Sequence, residues 1–346
     1  NDTDEFQARM MKFIRLLDKS QILKFIQPAW QVAVKLHFGE EGNTGYVKPE
    51  YVEQVCQRIL QKQSQVLLSD TNTLYRGRRL NAHDHLILAK EHGFTKEAIG
   101  VEPIIADEKK EGAISGIAIN RQFIKTAKIA TLFLKADAIV GIAHFKGHIM
   151  SGFGGALKNS GMGCASREGK LAQHSAISPF VIKENCVGCG ACEKVCSVKA
   201  ISIARKKSFI DGKKCIGCAS CIAACRYQAI EVHWESGKDD IQEKMIEYAQ
   251  AVLSGKEAKK AFINFAVKIT KECDCLAKDD PKVSPDVGIF ASTDPVSIDK
   301  ASLDLVNLAC GKDIFKEVQP HRDGMKQLNH AAKIGLGSLD YELFEI

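Results

Sequence analysis

The stretches NCVGCGACEKVCSVKAISI (185–203) and KCIGCASCIAACRYQAIEV (214–232) align without gaps at an offset of 29 residues, so they form an internal repeat. Each carries the spacing C-x2-C-x2-C-x3-C, first as Cys186, Cys189, Cys192 and Cys196, then as Cys215, Cys218, Cys221 and Cys225. That spacing holds cubane 4Fe-4S clusters. With Gly188, Gly190, Gly217 and Ala219 between the first three thiolates, the backbone can curl tightly and turn its amide hydrogens toward cluster sulfurs. The fourth cysteine, one residue further on in a helical turn, points away from its own loop. Zinc competes for this reading because paired C-x2-C units also build zinc ribbons, but zinc sites do not call for two uninterrupted four-cysteine runs. A disulfide framework fits less well, since the rest of the chain has no secretory look.

From about residue 181 to 234 the chain resembles the two-cluster bacterial ferredoxin module throughout. The resemblance implies low-potential, one-electron transfer and crossed ligand sets. One cluster takes Cys186, Cys189, Cys192 and Cys225; the other takes Cys215, Cys218, Cys221 and Cys196. The sequence departs from the family after each fourth cysteine, where Ser197 and Arg226 replace the usual proline. A cation at Arg226 would favour the reduced state of a nearby cluster and raise its potential.

The chain has 346 residues, 45% hydrophobic and 26% charged, enough for one large core plus the small cysteine module. No apolar run approaches the ~18 residues of a membrane span, and the N-terminus NDTDEFQARM lacks the order of a signal peptide. Thirteen cysteines and oxygen-sensitive clusters point to the cytoplasm. Of the net charge of +6, residues 181–235 contribute +4, with nine Lys/Arg against five Asp/Glu. Part of this offsets the anionic clusters, and part suits docking to an acidic redox partner of flavodoxin or ferredoxin type. No arginine-rich arm or aromatic-interleaved basic stripe accompanies it, which argues against nucleic acid.

Outside the module, helix and strand alternate. Helices are expected over 5–17, 49–61, 81–92, 122–130, 238–253 and 295–308. Strands are expected over 32–38, 66–70, 103–107, 116–120, 138–145, 262–270 and 287–292. The pattern predicts an α/β fold, a mostly parallel sheet with flanking helices, interrupted by a small α+β two-cluster domain. The domains are then 1–180 and 237–346 for the two parts of the α/β body, and 181–236 for the insertion. Asp294-Pro295 reads as a helix start, with Asp294 as N-cap.

The richest chemical stretch of the body is HFKGHIMSGFGGALKNSGMGCASREGK (144–170), after an expected strand. Its glycines, Gly154 and Gly155 among them, would let backbone amides approach an anion, with Lys158 supplying charge and His144 alongside. Lys35 and His37 alternate on one strand face, and Asp70 ends another, followed by Tyr75, Arg76, Arg78 and Arg79. This set suits a carboxylate or phosphate. Cys273 and Cys275 form a C-x-C pair. With Cys164, and with His148 or His174, they are a candidate extra metal or cofactor site, because thiolates and imidazoles together suit soft to borderline metals. Cys56 and Cys310 read as core residues.

Five segments, KLHFGEEGNTGYVKPEYV (35–52), SDTNTLYRGRR (69–79), HFKGHIMSGFGGALKNSGMG (144–163), ECDC (272–275) and STDPVSIDKASLDL (292–305), carry a wider likeness. With the inserted cysteines they resemble the domain-of-unknown-function 362 family of iron-sulfur proteins. The resemblance implies the architecture rather than an activity. Locally, AHFKGHIMSGFGGALK (143–158) is also similar to PH-x-x-AG(F/Y)SGG-x-K of nickel-pincer lactate racemases. The spacing between histidine and glycines differs, and the racemase cofactor is not carried across. Three functions fit: an electron-transfer protein with two 4Fe-4S clusters, a reductase acting at 144–170 with an extra metal at Cys164, Cys273 and Cys275, and a cluster-based sensor. Electron transfer is favoured because it needs only two neighbouring redox centres.

Overall fold

Six apolar runs pair into one sheet: β1 (Gln31–Lys35), β2 (Gln65–Asp70), β3 (Ile104–Ile105), β4 (Ala138–His144), β5 (Lys260–Ala266) and β6 (Gly288–Ser292). The computed structural model describes residues 2–108, 110–175, 177–234 and 240–346. The strand order is β6-β5-β4-β1-β2-β3, parallel throughout except for β6, which runs antiparallel to β5. The protein is therefore mixed α/β with a mostly parallel central sheet and flanking helices.

Both faces of the sheet are covered, which is why its strands read as nearly unbroken apolar runs. Val32 and Val34 of β1, Val140 and Ile142 of β4, and Ile263 and Phe265 of β5 pack on one face. There they meet α1 (Asp2–Ser20) and α2 (Pro49–Leu60) through Phe13, Tyr51, Val55 and Cys56. Ala33, Ile139 and Phe262 point to the other face, where they meet α3 (Ala156–Cys164), α4 (Ile241–Leu253) and α5 (Pro295–Cys310) through Leu157, Ile246 and Val306. Cys310 lies against the same core, partly buried. At the start of α5, Asp294 accepts hydrogen bonds from Val296 N and Ser297 N, with Pro295 in the first turn, as the sequence indicates.

One expected element is different in kind. Residues 122–130, read as a helix, contain the strand Thr126–Ala130, paired antiparallel with Ile114–Ala118. Its alternation of exposed Thr126 and Lys128 with buried Ala127 and Ile129 has period two, and Ala127 and Ile129 fill the core under α4. The expected helix start at 238 and module end at 236 lie outside the described residues. Among those described, the cysteine-rich segment forms two short antiparallel pairs, Phe180–Val181 with Ile230–Glu231 and Ile201–Ala204 with Lys207–Ile210.

The chain leaves β1 toward β2 and β3, then returns to lay β4 on the other side of β1. In open parallel sheets such a reversal of strand order opens a crevice beyond the carboxyl ends of the two strands. Lys35 and His144 stand at those two ends.

Candidate functional site

A cavity of about 350 Å³ occupies this crevice. Lys35, His37, His144, His148, Gly154, Gly155, Lys158, His174, Cys273 and Cys275 all line it, as do Asp70, Tyr75 and Arg79, so the structure brings thirteen of the residues singled out in the sequence to one place. Lys35 Nζ donates to Asp70 Oδ1 at 2.9 Å, to Asn159 Oδ1 at 3.0 Å and to Leu36 O at 2.8 Å. Asp70, at the end of β2, also accepts from Thr71 N and faces His85 Nε2 at 3.5 Å. Burial alone would raise the Asp70 carboxyl, but Lys35, His85 and Arg79 outweigh it and hold it well below the usual carboxylate range. Burial, then the Arg79 guanidinium in hydrogen-bonding contact, keep the His37 ring neutral. Arg79 lies within 4.0 Å of Glu40. Arg78 points outward to Glu91, and Arg76 reaches across to Gln228 and Glu231 of the cysteine-rich segment.

The far wall is built by the Cys-x-Cys loop. Asp274, only 2% exposed, accepts from His144 Nδ1 at 2.9 Å and Lys146 Nζ at 2.5 Å. The other nitrogen of His144 faces Val267 O at 2.8 Å. By tying the loop to the end of β4, Asp274 presents its two neighbours to the cavity. Donor atoms of His148, Cys273 and Cys275 lie within 4.8 Å of one another. Lys158 Nζ stands 3.7 Å from Cys273 Sγ. The two thiols share a hydrogen bond; it and the nearby Lys158 and Lys146 lower Cys273, whereas Cys275 is raised. His148 is held neutral by burial and by Lys158. Burial also pushes the Lys170 ammonium, which lines the same cavity, down to about 8.

Two expectations are placed differently. Cys164, grouped in the sequence with Cys273 and Cys275, sits in the apolar core outside the cavity. Its thiol is directed at Asn159 O at 3.8 Å and pushed up to about 12 by burial. The glycine-rich helix start, expected to receive an external anion, is already filled from inside. Asp299 accepts from Ala156 N at 2.7 Å, Leu157 N at 2.9 Å and Asn264 Nδ2 at 2.8 Å. A Cβ on Gly155 would come within 2.2 Å of Asp299 Oδ1, so the glycine makes room for this carboxylate. We expect Asp299→Ala to leave the buried amides of Ala156 and Leu157 unpaired, Asn264 Nδ2 keeping Ser302 Oγ at 3.2 Å, and to destabilise the protein by about 3 kcal/mol in urea unfolding; a loss under about 1 kcal/mol would mean that water replaces the carboxylate.

Sequence reasoning missed Lys146, Asn159, Asp274 and Trp234. A signal existed for the first: in HFKGH, His144, Lys146 and His148 alternate, as side chains sharing one side of an extended segment do. Nothing local marks Asn159, which joins Lys35 O, Ile142 O and Lys35 Nζ.

The eight remaining cysteines line two further cavities. One is bordered by Cys186, Cys189, Cys192 and Cys225, the other by Cys196, Cys215, Cys218 and Cys221. Backbone amides already point at sulfurs: Ala200 N lies 3.2 Å from Cys196 Sγ, Ala229 N 3.2 Å from Cys225 Sγ and Ser208 N 3.3 Å from Cys186 Sγ. Gly188 and Gly217 both take φ +69°, the left-handed conformation these loops need. Cys189 is exposed. The second cavity lies toward the body, where Gly217 approaches Leu171. Leu74, Leu171 and Trp234 join the apolar residues of this segment in one cluster, and Leu74 and Trp234 also line the large cavity. Trp234 meets His174 edge-on, ring centroids 5.0 Å apart.

Fold and site together define an α/β protein with a candidate metal centre beyond the carboxyl ends of its sheet. The chain belongs to the DUF362 family, a domain of unknown function, which matches residues 32–304. Among solved structures it is similar to the lactate racemase apoprotein from Thermoanaerobacterium thermosaccharolyticum, with 13% identity and a TM-score of 0.41. That match covers 84% of this chain and 50% of the racemase chain, so this chain spans about half the racemase's length. No curated protein matches. Among the described residues no helix is long and apolar enough to cross a membrane.

Proposed function

We propose that this is an electron-transfer protein whose residues 181–236 form a ferredoxin-like domain holding two 4Fe-4S clusters, inserted between the two parts of the α/β body. The reading is carried by one observation: the eight cysteines border two separate cavities in crossed sets, three from one repeat and the fourth from the other. When bound, such clusters supply single low-potential electrons. The residues of the chain orient and tune them. Amides of Ala200, Ala229 and Ser208 direct hydrogens at cysteine sulfurs, which stabilises added negative charge. Arg226 supplies a cation beside the Cys225 set.

The set containing exposed Cys189 is the entry side, and the set beside Leu171 is the side that communicates with the body. The basic excess of 181–235 favours an acidic donor of flavodoxin or ferredoxin type. Oxygen-sensitive centres suit a reducing compartment. Anaerobic purification followed by iron and sulfide analysis is expected to yield about eight of each per chain, with paramagnetic signals on reduction. Zinc in place of iron, or a protein with no reducible chromophore, would overturn the reading.

A second reading, a reductase site in the body, is favoured by a specific arrangement. Trp234 belongs both to the apolar cluster of the cysteine domain and to the wall of the cavity that holds His148, Lys158, Lys170, Cys273 and Cys275. Electrons leaving the inner cluster would arrive there, and Lys170, with its ammonium near 8, is suited to release a proton.

A further inference from the structure

Three donor groups at the cavity wall remain without a role in the electron relay. His148, Cys273 and Cys275 offer one nitrogen and two sulfurs within 4.8 Å of one another, on a loop and a hairpin buried beyond the sheet. Bonds of about 2.0 Å to nitrogen and 2.3 Å to sulfur place the ligand atoms of a tetrahedral ion about 3.3–3.8 Å apart. The present spacing therefore closes on an ion by side-chain rotation of about 1 Å, without backbone movement. The backbone is already fixed, because Asp274 between the two cysteines is locked by His144 and Lys146.

The histidine is prepared in the same way. Its Nδ1 lies 3.0 Å from Ser151 Oγ, and that hydroxyl donates to Phe153 O at 2.7 Å. A ring that donates Nδ1–H to Ser151 keeps the lone pair of Nε2 for a cation, an arrangement that orients metal-bound histidines generally. Met150 N, 3.2 Å from Nδ1, favours the other tautomer in the absence of an ion, so metal binding selects between the two. A divalent ion and two thiolates are neutral together, so Lys158, 3.7 Å from Cys273 Sγ, adds one positive charge beside the site.

We propose that His148 Nε2, Cys273 Sγ and Cys275 Sγ bind a single thiophilic transition-metal ion, with its fourth position open to the 350 Å³ cavity. One nitrogen and two thiolates select a soft to borderline first-row ion over magnesium or calcium. Three protein ligands and an open position are the pattern of a reactive rather than a structural site. Cys164 is not a ligand. The proposal stands apart from the cluster reading, and the two can fail separately.

The test uses the full chain, purified without oxygen and carrying whatever clusters it holds. Iron, sulfide and other transition metals are counted before and after dialysis against micromolar cobalt(II) and desalting. Sulfide measures cluster iron, one for one, and so reports on the cluster reading by itself. Wild type is expected to hold about one ion per chain beyond the sulfide-matched iron, as isolated or as cobalt. Cys273→Ser/Cys275→Ser should hold less than about a tenth of that at unchanged sulfide, Cys164→Ser should match wild type, and Ser151→Ala should weaken cobalt affinity by about tenfold or more. No excess metal in wild type after cobalt, or equal excess in the double variant, overturns the site. Should the double variant not fold, X-ray absorption at the cobalt edge of wild type decides: sulfur neighbours at about 2.3 Å support it, and a shell of oxygen and nitrogen alone overturns it.

Discussion

Replacing Asp274 with alanine is expected to destabilise the α/β body by about 3–5 kcal/mol, because it strands a buried ammonium. Lys146 is 5% exposed, and its described partners are His144 O at 3.0 Å and the Asp274 carboxylate. Removing the carboxylate leaves that cation in a medium that cannot solvate it, and also frees Nδ1 of His144. A double variant, Asp274→Asn with Lys146→Met, should recover most of the loss, since a buried pair replaced by apolar volume is often nearly neutral. The pH dependence has a definite sign. Burial would raise the Asp274 carboxyl, but His144 and Lys146 together outweigh it and hold the group well below the ordinary carboxylate range. Its contribution is therefore fully present above the unfolded value of about 3.9 and is lost as pH falls through the lower folded value. In urea unfolding from pH 7 to pH 3, the gap between wild type and Asp274→Asn should stay constant down to about pH 4 and narrow below it. A difference under about 1 kcal/mol at pH 7 would show that water reaches Lys146 and that the Cys-x-Cys loop is not held by this carboxylate.

What the sequence makes legible follows from how local each cause is. The sheet strands declare themselves because burial on both faces demands unbroken apolar runs, as in VAVK or AIVGIA, and the ends of those runs locate the crevice and its Lys35 and His144. The eight cysteines stand out because spacing alone groups them, and they border two cavities. Residues 122–130 mislead because the composition of QFIKTAKIA serves helix and strand alike, and only pairing with Ile114–Ala118 selects the strand. The hairpin Lys146–His148 with Gly152–Gly154 is hidden by its glycines, which read as a loop. Gly147 is required there because a Cβ would meet Lys271 O at 2.1 Å, a contact across more than a hundred residues. Cys164 shows the same limit from the other side: its composition matches Cys273 and Cys275, but its helix turns it into the core. Asp299, 143 residues from the helix start it fills, leaves no trace in any local pattern.

Cys189→Ser and Cys225→Ser are expected to damage the same cluster although 36 positions separate them in the sequence. Cys225 lies in the second repeat, but it borders the cavity of Cys186, Cys189 and Cys192, while Cys196 of the first repeat borders that of Cys215, Cys218 and Cys221. The cause is geometric: the first two cysteines of each repeat lie on a loop and the third in the helical turn that follows it, Ala191–Lys194 or Ser220–Ala224, and that turn carries the fourth to the other cavity. Ala229 N and Ala200 N then donate to the fourth sulfurs, fixing their direction. Each single variant should therefore retain about four irons and four sulfides and show the same surviving signal on reduction. The decisive sample is the double variant Cys189→Ser/Cys225→Ser. Two ligands of one centre act as a unit, so the second substitution should remove nothing further, and the remaining cluster should keep its spectrum and potential within the shift that a lost neighbouring charge produces. If each repeat instead bound its own cluster, the double variant would lose both, and iron would fall to near zero.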